Sequence, residues 1–265
     1  MTLLRPEIDH LDEPSYQLFI KARQREQWSA RELLGTGETV LDEQGVERAW
    51  RLASTSYYAE QAGLVAAAEL VVGTEDLAVR MSLATAVDDE ARHSDAFLAY
   101  AVARGGDLAD VYQDGSYLDE LHATLSAAGQ AEKFLMHTMF EGLAADEFIL
   151  LQRIFAGDPL AEIYKHVRAD ETRHVAIGLN YLRRSYASPA GREEWDAHGA
   201  DWEQRGLDVI NLPAACLGLA DLMGRPAEEI ERWFLHRHRA RLRGVGIRIP
   251  EGGERWSSRR CESTP

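Results

Sequence analysis

The feature that most restricts this chain is a long-range repeat. Two strings, Asp89-Glu90-Ala91-Arg92-His93 and Asp170-Glu171-Thr172-Arg173-His174, share the pattern Asp-Glu-x-Arg-His. A further glutamate stands 30 positions ahead of each Glu: Glu60 before Glu90, and Glu141 before Glu171. Three residues on an α-helix turn ~300° and rise ~4.5 Å, so Glu-x-x-His presents both side chains on one face, a turn apart. The midpoint of each interval falls at a break, position 75 inside Gly73-Thr74-Glu75 and position 156 beside Gly157-Asp158-Pro159. In an antiparallel helical hairpin, residues equidistant from the turn lie at one height. Each upstream Glu is therefore expected to face its own Glu-x-x-His across a hairpin, ~22 Å from the turn, in the middle of a long bundle.

The rest of the chain agrees with a helical reading. Strand signals are nearly absent, apolar residues recur at i, i+3, i+4 and i+7, and Ala, Leu, Glu and Arg dominate the periodic segments. Helices are predicted at about 14–34, 44–72, 75–104, 117–156, 159–187, 190–210, 213–223 and 226–243. Gly73-Thr74-Glu75 is expected to stop one helix and cap the next. Gly157, Asp158 and Pro159 supply a C-cap glycine, an N-cap and an N1 proline in order. The expected fold is all-α: a long four-helix bundle over 44–187, with an N-terminal helix and loop (1–43) packed on it. Additional C-terminal helices follow over 188–249, then a flexible tail over 250–265.

The paired motifs carry chemistry because of where they sit. Leu64, Ala67 and Val71 follow Glu60 along its face, and Ala144, Ala145 and Phe148 follow Glu141. Burying four uncompensated carboxylates would cost several kcal/mol each. Two divalent metals among four carboxylates and two imidazoles remove that cost, and oxygen and nitrogen donors suit iron or manganese. The candidate ligands are Glu60, Glu90, His93, Glu141, Glu171 and His174.

One Glu from each of two helices plus Glu-x-x-His from each of two others resembles the ferritin-like di-iron carboxylate superfamily. The Asp-Glu-x-Arg-His form is similar to its O2-activating branch: monooxygenase hydroxylases, acyl-carrier-protein desaturases, p-aminobenzoate N-oxygenase and the ribonucleotide reductase small subunit. The resemblance covers about residues 44–187. It implies a ferritin-like fold, two iron ions (or a Mn/Fe pair) held by those six residues, and O2 as co-substrate. It further implies a monooxygenase or oxidase that hydroxylates, N-oxygenates or desaturates a small organic molecule. By the same resemblance Asp89 and Asp170 accept hydrogen bonds from metal-bound histidines, fixing their orientation. Arg92 and Arg173 would pair with those carboxylates.

Departures from the family pattern narrow the reading. The reductase keeps a radical-bearing Tyr four residues after the first ligand His, where this chain has Phe97. Hydroxylases and desaturases place a Thr three or four residues after the third-helix Glu, where this chain has Ala144 and Ala145. Thr138 lies one turn the other way. His137, four residues before Glu141 and on its face, is a candidate extra ligand or substrate contact. The third His ligand of the N-oxygenases falls elsewhere, at the place of Val167. Tyr57, Tyr58 and Tyr164 read as core, and His166 is expected to face away from Glu171.

Composition excludes several classes. With 29 Lys+Arg against 44 Asp+Glu the formal charge is −15, which disfavours a nucleic-acid binder. Cys216 and Cys261 have no metal-ligand spacing, so a disulfide scaffold and a thiolate zinc site are excluded. No run of ~18 apolar residues is present, so no membrane association is expected and the cytoplasm is the expected location. The expected partners are a small-molecule substrate and an electron-donating reductase or ferredoxin, with a homodimer as an option. The rival reading is a ferroxidase or ferritin-like iron store with no organic substrate. Two symmetric Glu-x-x-His motifs and the C-terminal extension weigh against it.

Overall fold

The computed structural model describes residues 14–25, 28–36, 38–107 and 116–249. Among these residues there are ten helices: α1 (Pro14–Gln24), α2 (Ala30–Thr36), α3 (Glu43–Gly73), α4 (Leu77–Ala103), α5 (Ser116–Ala127), α6 (Gln130–Ile154), α7 (Pro159–Ala187), α8 (Pro189–Val209), α9 (Leu212–Met223) and α10 (Ala227–Gly244). No strand occurs among them. The segment 250–265, expected as a tail, and residues 1–13 lie outside the described residues.

Two hairpins make the bundle. α3 packs along α4, α6 along α7, and the hairpins meet through α3 against α6 and α4 against α7. The first turn is set by Asp76, whose carboxylate accepts from the Val79 backbone N–H, and Thr74 ends α3. The capping residue is thus Asp76, not the Gly73-Thr74-Glu75 group predicted, because its side chain reaches the free N–H groups of the first turn of α4. At the second turn Asp158 and Pro159 take their predicted places: Asp158 accepts from the Leu160 N–H and Pro159 fills the first turn of α7. Gly157 is not the C-cap: α6 ends earlier, with Phe155 at its C-cap, and Gly157 takes φ +90° in the turn that follows.

The predicted helix 117–156 is two helices. α5 ends at Ala127, and Gly129 stands at the N-cap of α6. The topology requires the break. Gln130 at the start of α6 donates to the Thr74 hydroxyl at 2.9 Å, so α6 begins beside the α3–α4 turn. α4 has already left that end, and α5, packed along α3, carries the chain back to it. The two hairpin turns therefore lie at opposite ends of the bundle. The predicted helix 14–34 is likewise divided into α1 and α2, and the intervening Trp28 packs against His93 and His166.

Of the three apolar clusters of the interior, two bracket mid-height. One cluster, with Phe97, Tyr100, Phe148, Leu151, Phe155, Leu160 and Tyr164, lies toward the α6–α7 turn. The other, with Leu70, Val79, Leu83, Phe134, Ile177 and Leu182, lies toward the α3–α4 turn. The six candidate ligands occupy the layer between them. Outside the bundle, α1 and α2 cover α4 and α7, α8 lies on α6 and α7, and α10 packs against α9 and α6. Ion pairs anchor α10: Arg237 and Arg241 bind the buried Asp146 of α6, and Arg239 binds Glu203 of α8.

Candidate metal centre

Glu60 of α3, Glu90 and His93 of α4, Glu141 of α6, and Glu171 and His174 of α7 converge at mid-height, none more than 5% exposed. They form two overlapping donor groups, Glu60, Glu90, His93 and Glu171 on one side and Glu90, Glu141, Glu171 and His174 on the other. Within each group the donor atoms lie within 4.8 Å of one another. Glu90 and Glu171 belong to both groups, so they stand between two positions that Glu60–His93 and Glu141–His174 flank.

The spacing of donor atoms is informative. His174 Nδ1 lies 3.0 Å from Glu90 Oε1, 3.0 Å from Glu171 Oε2 and 3.3 Å from Glu141 Oε2. His93 Nδ1 lies 3.2 Å from Glu60 Oε2 and 3.2 Å from Glu171 Oε1. One ring nitrogen carries at most one proton, so it cannot satisfy three carboxylates by hydrogen bonding. Two donors each ~2.1 Å from a common cation and at right angles to it are ~3 Å apart, which is the separation observed. Glu90 Oε1 and Glu171 Oε1 are also buried with no hydrogen-bond partner. The donor set therefore fits two cations.

Electrostatics point the same way. Burial, then the charges of Glu90 and Glu171, push Glu60 well above the usual carboxylate range. Burial and neighbouring carboxylates raise Glu171 strongly and Glu90 less. Glu141 differs: burial would raise it, but the adjacent His137 ring with Glu171 and His174 holds it well below. Burial and the charge of His174 push His93 down to about 3. So many buried acids in one place are a site built for positive charge.

A charged cage surrounds the histidines. Each Nε2 donates to the aspartate of the opposite motif, His93 to Asp170 and His174 to Asp89, both at 3.2 Å. This leaves each Nδ1 facing the centre. Arg92 bridges Asp89 and Asp170, lying 3.0 Å from the latter. Arg173 does the same, 3.4 Å from Asp170. Arg25, just past the end of α1, also contacts both aspartates. Trp28 completes this side: its ring stacks on His93 and His166 and lies under the Arg92 guanidinium. Nothing in the pattern around Arg25 or Trp28 marks them beforehand, since their role depends on α1 lying across α4 and α7.

The remaining candidates fall as follows. His137 is 1% exposed, with Nδ1 2.9 Å from Glu141 Oε1. Thr138 is spent on its own helix, donating to the Phe134 carbonyl at 2.6 Å. Tyr164 is fully buried between Phe97 and Phe148, its hydroxyl 3.1 Å from that of Ser56. His166 faces Trp28.

Two further residues, Gly63 and Glu147, belong to no motif. A Cβ on Gly63, one turn after Glu60, would lie 2.6 Å from Glu90 Oε2. Gly63 thus leaves room for the shared carboxylate. In Gly63→Ala the clash falls on the end of a flexible side chain while the helix gains an alanine, so the fold should survive. We expect thermal stability of the metal-free protein unchanged or higher, and metal affinity lower by about 10–100-fold. Calorimetric metal titration beside a melting curve checks this, and unaltered affinity would contradict it.

Glu147 of α6 is pushed up to about 7 by burial alone. A carboxyl whose folded value is raised stabilises the fold below its unfolded value, near 4.5, and that stabilisation is lost as pH rises through about 7. Glu147→Gln should remove this loss. The stability difference between variant and wild type should grow in the variant's favour by about 2–3 kcal/mol from pH 5 to pH 8, read by denaturant titration.

No family model matches the sequence. No curated protein matches it either. Solved structures do. One is a point mutant of an R2-like ligand-binding oxidase with an aerobically reconstituted Mn/Fe cofactor, at TM-score 0.63 and 16% identity, covering 91% of this chain and 98% of that one. A second such mutant, also aerobically reconstituted, aligns at TM-score 0.66 and 17% identity over 89% and 94%. A third, anaerobically reconstituted, aligns at TM-score 0.67 and 16% identity over 89% and 94%. The fold is the ferritin-like bundle. These oxidases share it over nearly their full length, while the low identity leaves the chemistry of this chain to its own residues. No single helix among the described residues is long and apolar enough to cross a membrane.

Proposed function

We propose that this protein is a dinuclear metal oxidase or oxygenase acting with O2 on a small organic molecule. The observation that carries the reading is the pair of overlapping donor groups sharing Glu90 and Glu171 in a buried layer. The Mn/Fe cofactor of the fold neighbours supports a pair of first-row ions, Fe/Fe or Mn/Fe. Glu60, Glu90, His93 and Glu171 would hold one ion, and Glu90, Glu141, Glu171 and His174 the other. When bound, the pair supplies the electrons and the open coordination positions that O2 chemistry needs.

The residues of the chain have separate tasks. Asp89 and Asp170 hold the imidazoles with Nδ1 inward. Arg25, Arg92 and Arg173 neutralise those aspartates, so the charge of the cage does not compete with that of the centre. The apolar clusters above and below exclude water and so suppress side reactions. The absent threonine at positions 144 and 145 leaves no hydroxyl there to move a proton. Hydroxylation, N-oxygenation and desaturation all remain within the reading, as does an external reductase or ferredoxin as electron source.

The test is O2 uptake. Protein loaded with Fe(II) without oxygen, then mixed with O2, an electron donor and a panel of amines, acids and acyl compounds, should consume O2 faster with at least one compound and yield an oxidised product by mass spectrometry. Uptake that tracks only added Fe(II), with no compound changed, would favour the iron-handling alternative.

A further inference from the structure

The two halves of the centre are related by sequence and geometry, but they differ in a polar side chain one turn before the upstream glutamates. Four residues before Glu60 stands Ser56, and four residues before Glu141 stands His137. The Ser56 hydroxyl is engaged with Tyr164 at 3.1 Å. His137 has no such hydroxyl partner: it faces the Glu141 carboxylate, with Nδ1 2.9 Å from Oε1, yet both ring nitrogens are buried and make no hydrogen bond. Leaving a buried imidazole unpaired costs about 1–3 kcal/mol. A separation of ~3 Å without hydrogen-bond geometry is what two donors at neighbouring corners of one coordination shell have. The same separation recurs from His174 Nδ1 to Glu141, Glu171 and Glu90.

We propose that His137 is an additional imidazole ligand of the metal position flanked by Glu141 and His174, so that one position has two imidazoles and the other one. This rests on the dinuclear reading above and deepens it. Nitrogen donors bind first-row divalent ions more strongly than the water they replace, and the preference increases from Mn(II) to Fe(II). The position with His137 therefore fills first, and the two ions bind in distinct steps. Sequence repetition alone would make them equivalent.

The probe is Mn(II), added to metal-free protein at one equivalent. Pulsed electron paramagnetic resonance, counting directly bound imidazole nitrogens, should find two in the wild type and one in both His137→Ala and His137→Gln. The first-step affinity, read by calorimetry, should fall by about 10–100-fold in both variants and stay unchanged in Ser56→Ala. Circular dichroism checks that the variants fold, and the wild-type nitrogen count stands whether or not they do. One bound nitrogen in the wild type, or unaltered first-step affinity in a folded His137 variant, would overturn the assignment and leave the dinuclear reading intact. A wild-type chain that binds no Mn(II) would overturn both.

Discussion

Replacing Glu90 or Glu171 by alanine is expected to empty both metal positions and abolish O2 chemistry, while leaving a folded helical protein. These two carboxylates belong to both donor groups, so one substitution removes a ligand from each ion. The fold should tolerate the change for an electrostatic reason. Without metal, Glu60, Glu90 and Glu171 are raised by burial, with neighbouring carboxylates adding to the shift, so deleting one acid relieves the others. Metal per chain after desalting should fall from about two to near zero, a loss in affinity of at least about 100-fold. Helical circular dichroism should stay within error of wild type. Glu60→Ala and Glu141→Ala each touch a single group and should retain about one ion. A Glu90 variant with full metal content would contradict the shared placement.

Asp89→Ala is expected to act through stability as well as chemistry. Asp89 is almost fully buried and contacts Arg25, Arg92, Arg173 and His174 Nε2. Removing it leaves three guanidinium groups around Asp170 alone and frees the His174 ring to turn. Loss of one partner from a buried ionic network costs about 3–5 kcal/mol, because the remaining charges stay buried without compensation. The same holds for Asp170→Ala, with His93 as the released ring. Denaturant unfolding of the metal-free variants should show losses of this size. Asp89→Asn keeps the shape and part of the hydrogen bonding, so it should lose less. Exposed ion pairs such as Arg51–Glu47 give the contrast, since surface pairs contribute about 0–1 kcal/mol.

Much of the centre is legible in the sequence because helical geometry is rigid. A fixed rise and turn convert the 30-residue spacing and the two breaks into heights and faces. Glu60 does face His93, and Glu141 does face His174, each across its own hairpin. What the spacing leaves open is how the hairpins are joined. The crossed pairing of each histidine with the other motif's aspartate depends on α4 lying against α7, a contact between segments about 80 residues apart.

The break before Gly129 escapes notice because the apolar period runs through it, and only the need to return the chain to the α3–α4 turn divides α5 from α6. Arg25 and Trp28 escape for a similar reason: an arginine and a tryptophan near the N-terminus acquire meaning only when α1 and α2 are laid over the cage. Gly63 is visible as a glycine inside a strong helix pattern. Its reason, the Glu90 carboxylate 2.6 Å from the absent Cβ, belongs to the neighbouring helix.

Counting retained metal separates a closed dinuclear centre from an iron store. Fe(II) is titrated aerobically into metal-free protein, unbound iron is removed, and iron per chain is measured together with the mass of the particle. A closed dinuclear centre gives a plateau at about two ions per chain, on a small assembly, which drops toward zero in Glu90→Ala and Glu171→Ala. Iron retained far beyond two per chain within a large hollow shell would contradict it and identify an iron store.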